Sequence, residues 1–438
     1  MDERSILVLD PSCGSAHGHH LKSLEDLIEA SAPAKPILMV GQVLPPEVFS
    51  NRNGVSIFRI FTTTVYDEPG IGPRPGDRKE RRKWKLRRAL ANAKDSAGRT
   101  LAQLKSVLSA DAAIAAQDWE WSKWPVKWPA LEADIAARVA TTPIRHIVVP
   151  SSDVELISAL VDLRARVPAL ANAEIHARPF TASPSLARLR AGSKATPAYR
   201  ALMEQRMKGV FLYVETAAMQ RHYLETYGLK SDVWPYLIAP TQFDDSASNR
   251  SRGPVVFGYF GSRRNEKGFD RLLPILTEAA RSRRPSDPAI VVLIQATDVF
   301  GVAKADTDDL RKAFAALTGP GLAIEIIAAH MTDAEYGARF ASLDATLLPY
   351  TGERYKFSGS GILCEAIAMG KAAIMAKGMS FSDICSAENA IEAGSDAEFA
   401  AAILAMARDI ECYRRGAAAR AVTYAAEVKS CELLERLK

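Results

Sequence analysis

Short apolar runs of four to six residues recur along the chain, each followed by a stretch in which apolar residues return every three or four positions. The first pattern suits strands and the second amphipathic helices. In the first half, strands are predicted at Ile6–Leu9, Pro36–Val40, Val55–Ile60, Ile144–Val149, Ala173–Ala177 and Val210–Val214. In the second half they fall at Val255–Phe260, Ile290–Ile294, Ala323–Ile327, Thr346–Leu348 and Ala372–Met375. Several are apolar at four or five successive positions, as strands covered by helices on both faces should be. Alternation of such strands with helices predicts an α/β chain built on parallel sheets.

The two series of strands are separated by Ala239–Pro254, a polar segment of small residues closed by proline at its far end. Such a stretch reads as a linker. It divides the chain into a Rossmann-like domain over 1–240 and a second over 254–412, expected to face each other across a cleft. Helices over 413–438 are expected to pack back on the first domain. Within the first domain, about 62–130 forms an insert without a clear strand. It carries the basic run Arg78–Arg88, with eight cations and one acid, and a cluster of four of the six tryptophans within ten residues, at 119, 121, 124 and 128.

The chain has 438 residues, 48% of them hydrophobic and 24% charged, which suits two sizeable cores. Its net charge of +5 is unevenly placed: residues 1–253 sum to +7 and residues 254–438 to −2. Five scattered cysteines with no C-x-x-C pair exclude a disulfide framework and a zinc ribbon. No apolar run reaches the ~18 residues of a membrane span. The start, Met1-Asp-Glu-Arg4, leads into a strand and not a signal-peptide core, so a cytoplasmic location is expected.

Two segments of the second half carry candidate chemistry. After the strand Val255–Phe260 comes Gly261-Ser-Arg-Arg-Asn-Glu-Lys-Gly-Phe-Asp270 and then an apolar helical run. A glycine there lets a ligand approach the backbone, and Arg263, Arg264 and Lys267 suit a diphosphate beside a helix N-terminus. Downstream, Phe357-Ser-Gly-Ser-Gly-Ile-Leu-Cys-Glu365 runs from a loop into a short helix. Ser358, Gly359, Ser360 and Gly361 would cap that helix and offer backbone N–H groups to an anion. Glu365, one turn inside, suits the vicinal hydroxyls of a ribose. Cys364 stands where a dinucleotide fingerprint needs its third glycine, which argues against NAD.

The order Gly-x-x-x-x-Glu-Lys-Gly-Phe-Asp, about ninety residues, then Ser-Gly-Ile-Leu-x-Glu-Ala-Ile-Ala-x-Gly-Lys resembles the nucleotide-sugar half of GT-B glycosyltransferases. It is most similar to the retaining group 1 family, glycosyltransferase family 4. The resemblance covers the second domain well and the first only in outline. It implies a GT-B fold and a nucleoside diphosphate sugar donor whose diphosphate meets Lys267 and an arginine, Arg263 or Arg264, since Ser262 stands where the family arginine follows the glycine. Ser-Gly amides would hold the distal phosphate and Glu365 the ribose, with no metal and no cofactor. The family's earlier glutamate is replaced by Phe357 here, which leaves sugar specificity and stereochemistry open.

On the first domain the resemblance implies that Gly14 and His19, in the loop after the first strand, face donor and acceptor. His176, expected at the end of its strand, would lie near the reacting sugar, with Arg178 and Glu215 on the acceptor side. Asp10, Cys13, His17, His19 and His20 match no metal-ligand spacing, and no metal is expected there. The basic run suits an anionic lipid surface or a polyanionic glycan; the tryptophans suit either that surface or packing against the core. No nucleic-acid reader module accompanies the run. The expected activity is metal-independent, retaining transfer of a sugar to a hydroxyl of a glycan or lipid-linked acceptor, in the cytoplasm or at the inner face of the membrane. The alternatives are a non-catalytic glycan- or membrane-binding scaffold of the same fold and a nucleotide-sugar epimerase.

Overall fold

The computed structural model of the protein describes residues 5–13, 19–31, 36–49, 54–62, 64, 121, 124–139, 142–179, 184–190, 195–236, 253–261, 263–296, 304–327 and 331–437. The chain divides into two units. The first comprises Met1–Val214, Gln220–Trp234 and Glu432–Lys438, the second Glu215–Met219 and Pro235–Cys431. Of the helical tail, Ile410–Lys429 thus belongs to the second unit and Glu432–Leu437 to the first.

The first unit holds a sheet of β1 (Ser5–Asp10), β2 (Ile37–Gly41), β3 (Ser56–Phe61), β4 (Ile144–Ser152), β5 (Glu174–Pro179), β6 (Val210–Val214) and β7 (Asp232–Val233). Its spatial order is β3-β2-β1-β4-β5-β6-β7, with every pairing parallel. The second unit repeats the plan with β8 (Val255–Tyr259), β9 (Ile290–Gln295), β10 (Leu322–Ile327), β11 (Ala345–Leu348), β12 (Ala372–Ala376) and β13 (Ala390–Ala393). The order there is β10-β9-β8-β11-β12-β13, again all parallel. In both sheets the winding reverses between the first strand and the fourth, β1/β4 and β8/β11. Loops leaving the carboxyl ends of that strand pair diverge and leave a crevice for ligands.

The predicted strands are present, with ends that match or shift by up to three residues. Two were not foreseen. β7 has only two residues, and β13, Ala-Ile-Glu-Ala, forms a sheet edge with its isoleucine half-buried. Neither generates a recognisable apolar run. The core of the second unit follows the expected alternation. Val255, Phe257 and Tyr259 of β8 pack with Val292 and Ile294 of β9, and the helix Leu272–Ser282 adds Leu272, Ile275, Leu276 and Ala279. Those four positions form one helical stripe.

Three of the clustered tryptophans serve the core of the first unit. Trp121, Trp124 and Trp128 are buried. The helix Val154–Arg164 starts at Asp153, whose carboxylate accepts from Leu156 N–H at 2.7 Å. Near its other end Asp162 accepts both indole N–H groups, from Trp121 at 2.9 Å and from Trp124 at 2.8 Å. Trp128 packs edge-on against Phe61. Packing, not an exposed aromatic belt, therefore accounts for these three. Trp119 and the basic run Arg78–Arg88 lie outside the described residues. Among the described residues, no helix is long and apolar enough to cross a membrane.

Candidate functional site

The loop after β8 is shaped by two glycines. Gly261 has φ +117°, and its N–H donates to Gln295 Oε1 at 2.7 Å. A Cβ added there would stand 3.0 Å from Lys267 Nζ, so the bare Cα is what admits the ammonium. The chain then makes a turn over Asn265–Lys267 and enters Gly268 at φ +72°. A Cβ on Gly268 would lie 1.9 Å from the carbonyl oxygen of Pro349, a clash with backbone that no rotamer relieves. The glycine of Glu-Lys-Gly is thus demanded by how this loop seats on the segment leaving β11. Thr351 closes the seat: its N–H donates to Glu266 O at 3.0 Å and its hydroxyl to Asn265 O at 3.1 Å.

The seat concentrates positive charge. Burial, followed by the nearby Arg264 guanidinium, lowers the Lys267 pKa to about 8, against a smaller opposing pull from Glu266 and Glu365. Arg264 reaches Glu266 at 3.5 Å, and its Nε is buried with no hydrogen-bond partner among the described residues. A buried guanidinium N–H without an acceptor is a site that an anion would satisfy. Arg263 is turned away, with its guanidinium 5.1 Å from the centre of the Phe269 ring. Of the two arginines the sequence offers, Arg264 is the one whose charge reaches Lys267.

The second loop lies at the carboxyl end of β11. The helix Gly361–Ala368 is capped by Ser360, whose Oγ accepts from Leu363 N–H at 3.3 Å. That leaves the first-turn N–H groups of Gly361 and Ile362 without an intrahelical acceptor. Tyr350 OH lies 3.3 Å from Ser360 Oγ and fixes the cap. Ser358 is buried, and its carbonyl accepts from Ser380 Oγ at 3.4 Å. Gly359 faces Glu215, which groups with the second unit by its contacts: a Cβ at 359 would come 2.9 Å from the Glu215 carboxyl carbon. Glu365 projects from the same helix, and its Oε2 accepts from Tyr336 OH at 2.6 Å. Tyr336 is stacked on Phe340 and edge-on to Phe260, so the carboxylate is aimed by a buried phenol.

Lys267, Arg264, Ser360, Gly361 and Glu365 are thus gathered at the β8/β11 reversal, where the order of strands places a crevice. A cavity of about 540 Å³ opens on the same edge, between Arg271, Tyr350, Gly352, Lys377, Met379 and Asp396. Tyr336 and Tyr350 escaped the sequence reading. Tyr336 lies 29 residues before Glu365 and Tyr350 ten before Ser360, and a lone tyrosine in a helix or after a strand gives no local signal.

The first-unit candidates are placed differently. His176 is not at a strand end: it is the third of six residues in β5 and fully buried. Its Nε2 lies 3.1 Å from His146 Nδ1 and its Nδ1 3.0 Å from Tyr213 OH. Burial, with His146 and Arg436 nearby, lowers its pKa to about 3, so the imidazole is neutral. The strand runs two residues further than its sequence pattern suggests, through Arg178 to Pro179, which pairs with Ser152 of β4. Arg178 is also buried. Its Nε donates to Pro150 O at 2.9 Å and its guanidinium stacks on Trp234 at 4.5 Å, which makes it part of the packing. Asp10 is buried and accepts from Ser12 N–H at 3.0 Å, and burial raises the Cys13 thiol far above its ordinary range. His19 is the first residue of the helix His19–Ala30, and Gly14 lies outside the described residues.

No protein-family model and no curated protein matches the chain. Solved structures do. HepE of Anabaena in complex with UDP is 14% identical and superposes with a TM-score of 0.56, over 99% of this chain and 97% of that one. A glycosyltransferase from Rickettsia africae is 11% identical with a TM-score of 0.60, over 100% and 98%. The trehalose-6-phosphate synthase OtsA is 11% identical with a TM-score of 0.59, over 99% and 98%. Likeness along the full length at such low identity speaks for architecture: the chain has the GT-B glycosyltransferase fold.

Proposed function

We propose that the protein is a glycosyltransferase that draws on a nucleoside diphosphate sugar and transfers the sugar to a hydroxyl acceptor. The observation that carries this reading is the pairing of Lys267 and Arg264 with Glu365 at the β8/β11 reversal. Two cations and the free N–H groups of Gly361 and Ile362 complement a diphosphate, and one aimed carboxylate complements a ribose. Structures of HepE contain UDP and UDP-glucose, which supports a donor of that class.

In this reading the negative charge that grows on the leaving diphosphate is met by Lys267 and Arg264, held in place before the reaction begins. The protein cations take the part that a bridging metal plays in other transferases, so UDP affinity is expected to be unchanged by a chelator. Glu365 acts at a distance from the bond that breaks. Its contribution is to hold the nucleoside, with Tyr336 donating to Oε2 and fixing the direction of the carboxylate. The retaining course and a glycan or lipid-linked acceptor follow from the motif resemblance and are part of the proposal. Proton NMR of the anomer formed tests the first. Co-sedimentation with anionic vesicles, before and after neutralising Arg78–Arg88, tests a contact with the membrane.

Calorimetric titration of the protein with UDP, GDP and ADP, followed by donor-hydrolysis assays with the sugar of whichever base binds, tests the reading as a whole. Binding of a nucleoside diphosphate that Glu365→Ala weakens, together with slow donor hydrolysis, is expected. Binding without any turnover would favour a non-catalytic scaffold of the same fold, and no binding at all would remove the proposal.

A further inference from the structure

We propose that His146, Glu174 and His176 of the first unit form a binding site for a divalent transition ion of the zinc class. The site comes from strand register. β4 and β5 are parallel neighbours in which His146 pairs with Glu174 and Val148 with His176. Paired residues share a face of the sheet, and so do residues two apart on one strand. The three side chains therefore converge on one point at the amino-terminal part of both strands, away from the carboxyl ends where the ligand loops of such sheets gather.

The distances fit an ion. His146 Nδ1 and His176 Nε2 are 3.1 Å apart, and Glu174 Oε2 lies 3.5 Å from the first and 3.7 Å from the second. A point equidistant from three atoms with those separations stands about 2.0 Å from each, the usual Zn–N distance. An ion at that point would touch all three donors without any movement of backbone. A shared proton between the imidazoles would explain the shortest separation alone. It leaves the carboxylate oxygen beyond good hydrogen-bond length from both rings.

The surroundings complete the site. His176 Nδ1 lies 3.0 Å from Tyr213 OH, and its ring stacks on Phe211, so Nε2 is aimed at the shared point. A hydrogen bond on the second ring nitrogen is what orients metal-bound histidines generally. Both imidazoles are buried, while 41% of the Glu174 side chain is exposed, which provides an entry path and room for a water as fourth ligand. One feature opposes the ion. Arg436, from the helix Glu432–Leu437, stacks over Phe211 at 4.0 Å and its charge reaches His176. Glu174 supplies the carboxylate of the group, and Arg436 brings an opposing charge that its own pair with Glu432 at 2.9 Å offsets in part. Bound there, an ion would cross-link β4 to β5 and stabilise the first unit, away from the carboxyl-end loops of its own sheet.

The test uses the full chain stripped with a chelator, then titrated with zinc and, separately, with cobalt(II) as a spectroscopic probe. One ion per chain is expected, with cobalt giving the visible absorption of a low-coordinate nitrogen–oxygen site and zinc raising the melting temperature. Glu174→Gln, a change at the exposed corner that leaves the packed rings in place, should weaken binding by about tenfold or more. His146→Gln should abolish the cobalt spectrum. Arg436→Gln should tighten binding several-fold, an effect that a surface or unfolded-state site would not show. The proposal is overturned if cobalt gives no saturable spectrum, or if Glu174→Gln binds zinc as the parent does.

Discussion

A lysine held with a pKa of about 8 makes donor binding a proton-linked event. In the free protein Lys267 is about nine-tenths charged at pH 7 and about one-tenth charged at pH 9, since each unit of pH changes the ratio tenfold. A bound diphosphate favours the ammonium, so above pH 8 binding must draw a proton from solution. UDP affinity should therefore fall by about tenfold between pH 7 and pH 9, the range in which the terminal phosphate of UDP no longer titrates. Near pH 8 about half a proton should be taken up per UDP, read from titrations in two buffers of different ionisation enthalpy. Lys267→Met removes the charge and keeps the length. It should lose about 2–3 kcal/mol of UDP binding, roughly 30- to 150-fold, and what binding remains should be flat with pH. Stability should respond in the opposite sense. The folded state releases this proton near pH 8 and the unfolded chain near its ordinary 10.5. Between those values the unfolded chain binds more protons, so the parent gains stability relative to Lys267→Met as pH rises. Calorimetry that finds UDP affinity constant from pH 7 to pH 9 would refute the depressed lysine. Unchanged affinity in Lys267→Met would refute its place on the phosphate.

Three other changes probe the frame and the nucleoside end. Gly268→Ala brings a methyl group onto the Pro349 carbonyl and strains a left-handed residue, so urea unfolding should show a loss of about 2–4 kcal/mol together with weakened UDP binding. Asp162→Leu leaves the indole N–H groups of Trp121 and Trp124 without their acceptor. It should destabilise the first unit by about 2–4 kcal/mol while leaving the UDP affinity of the second intact. Tyr336→Phe removes the hydroxyl that aims Glu365, and UDP binding should weaken by about three- to tenfold, with phosphate-only ligands unaffected. Glu365→Ala should weaken UDP binding further still, and Tyr336→Phe in that background should add nothing, since the two act as one unit.

The architecture was legible because its signals are local. Each covered strand is an apolar run, each helix has a stripe, and the loop after β8 carries its glycines and cations in ten consecutive residues. Lys267, Glu365 and the capping serine could be read because they sit at fixed offsets from those glycines. The errors came wherever direction or partnership matters. Sequence places Arg263 and Arg264 side by side, but only the fold decides that one stacks on Phe269 while the other is half-buried with its charge reaching Lys267. His176 looked like a strand-end residue because the apolar run stops near it. The pairing with β4 continues through Pro179 and puts the imidazole mid-strand. Asp162 as the acceptor of two indoles and Tyr336 as the aim of Glu365 are long-range pairings, about forty and about thirty residues apart in sequence, and no spacing rule reaches so far.

The two sheets share one winding order, yet they present different chemistry at the reversal. In the second unit both loops at β8/β11 carry groups suited to a ligand: an ammonium over a bare glycine, a half-buried guanidinium, and a capped helix with first-turn N–H groups lacking an intrahelical acceptor. In the first unit, Asp10 at the end of β1 is turned inward onto its own loop, and Arg178 beyond it is bound to carbonyls and a tryptophan. Topology alone therefore does not make a site, since it supplies the crevice in both halves. Among the described residues, the loops of the second unit hold an Arg264 Nε without a partner beside Lys267, whose depressed pKa goes with that arrangement. A diphosphate would relieve at once the half-buried Lys267 and the Arg264 Nε that has no partner among the described residues, so ligand binding should stabilise the second unit more than the first. Hydrogen exchange in the presence of UDP should accordingly show slowed amides around Gly261–Leu272 and Ser360–Ile367, with β4 and β5 unchanged.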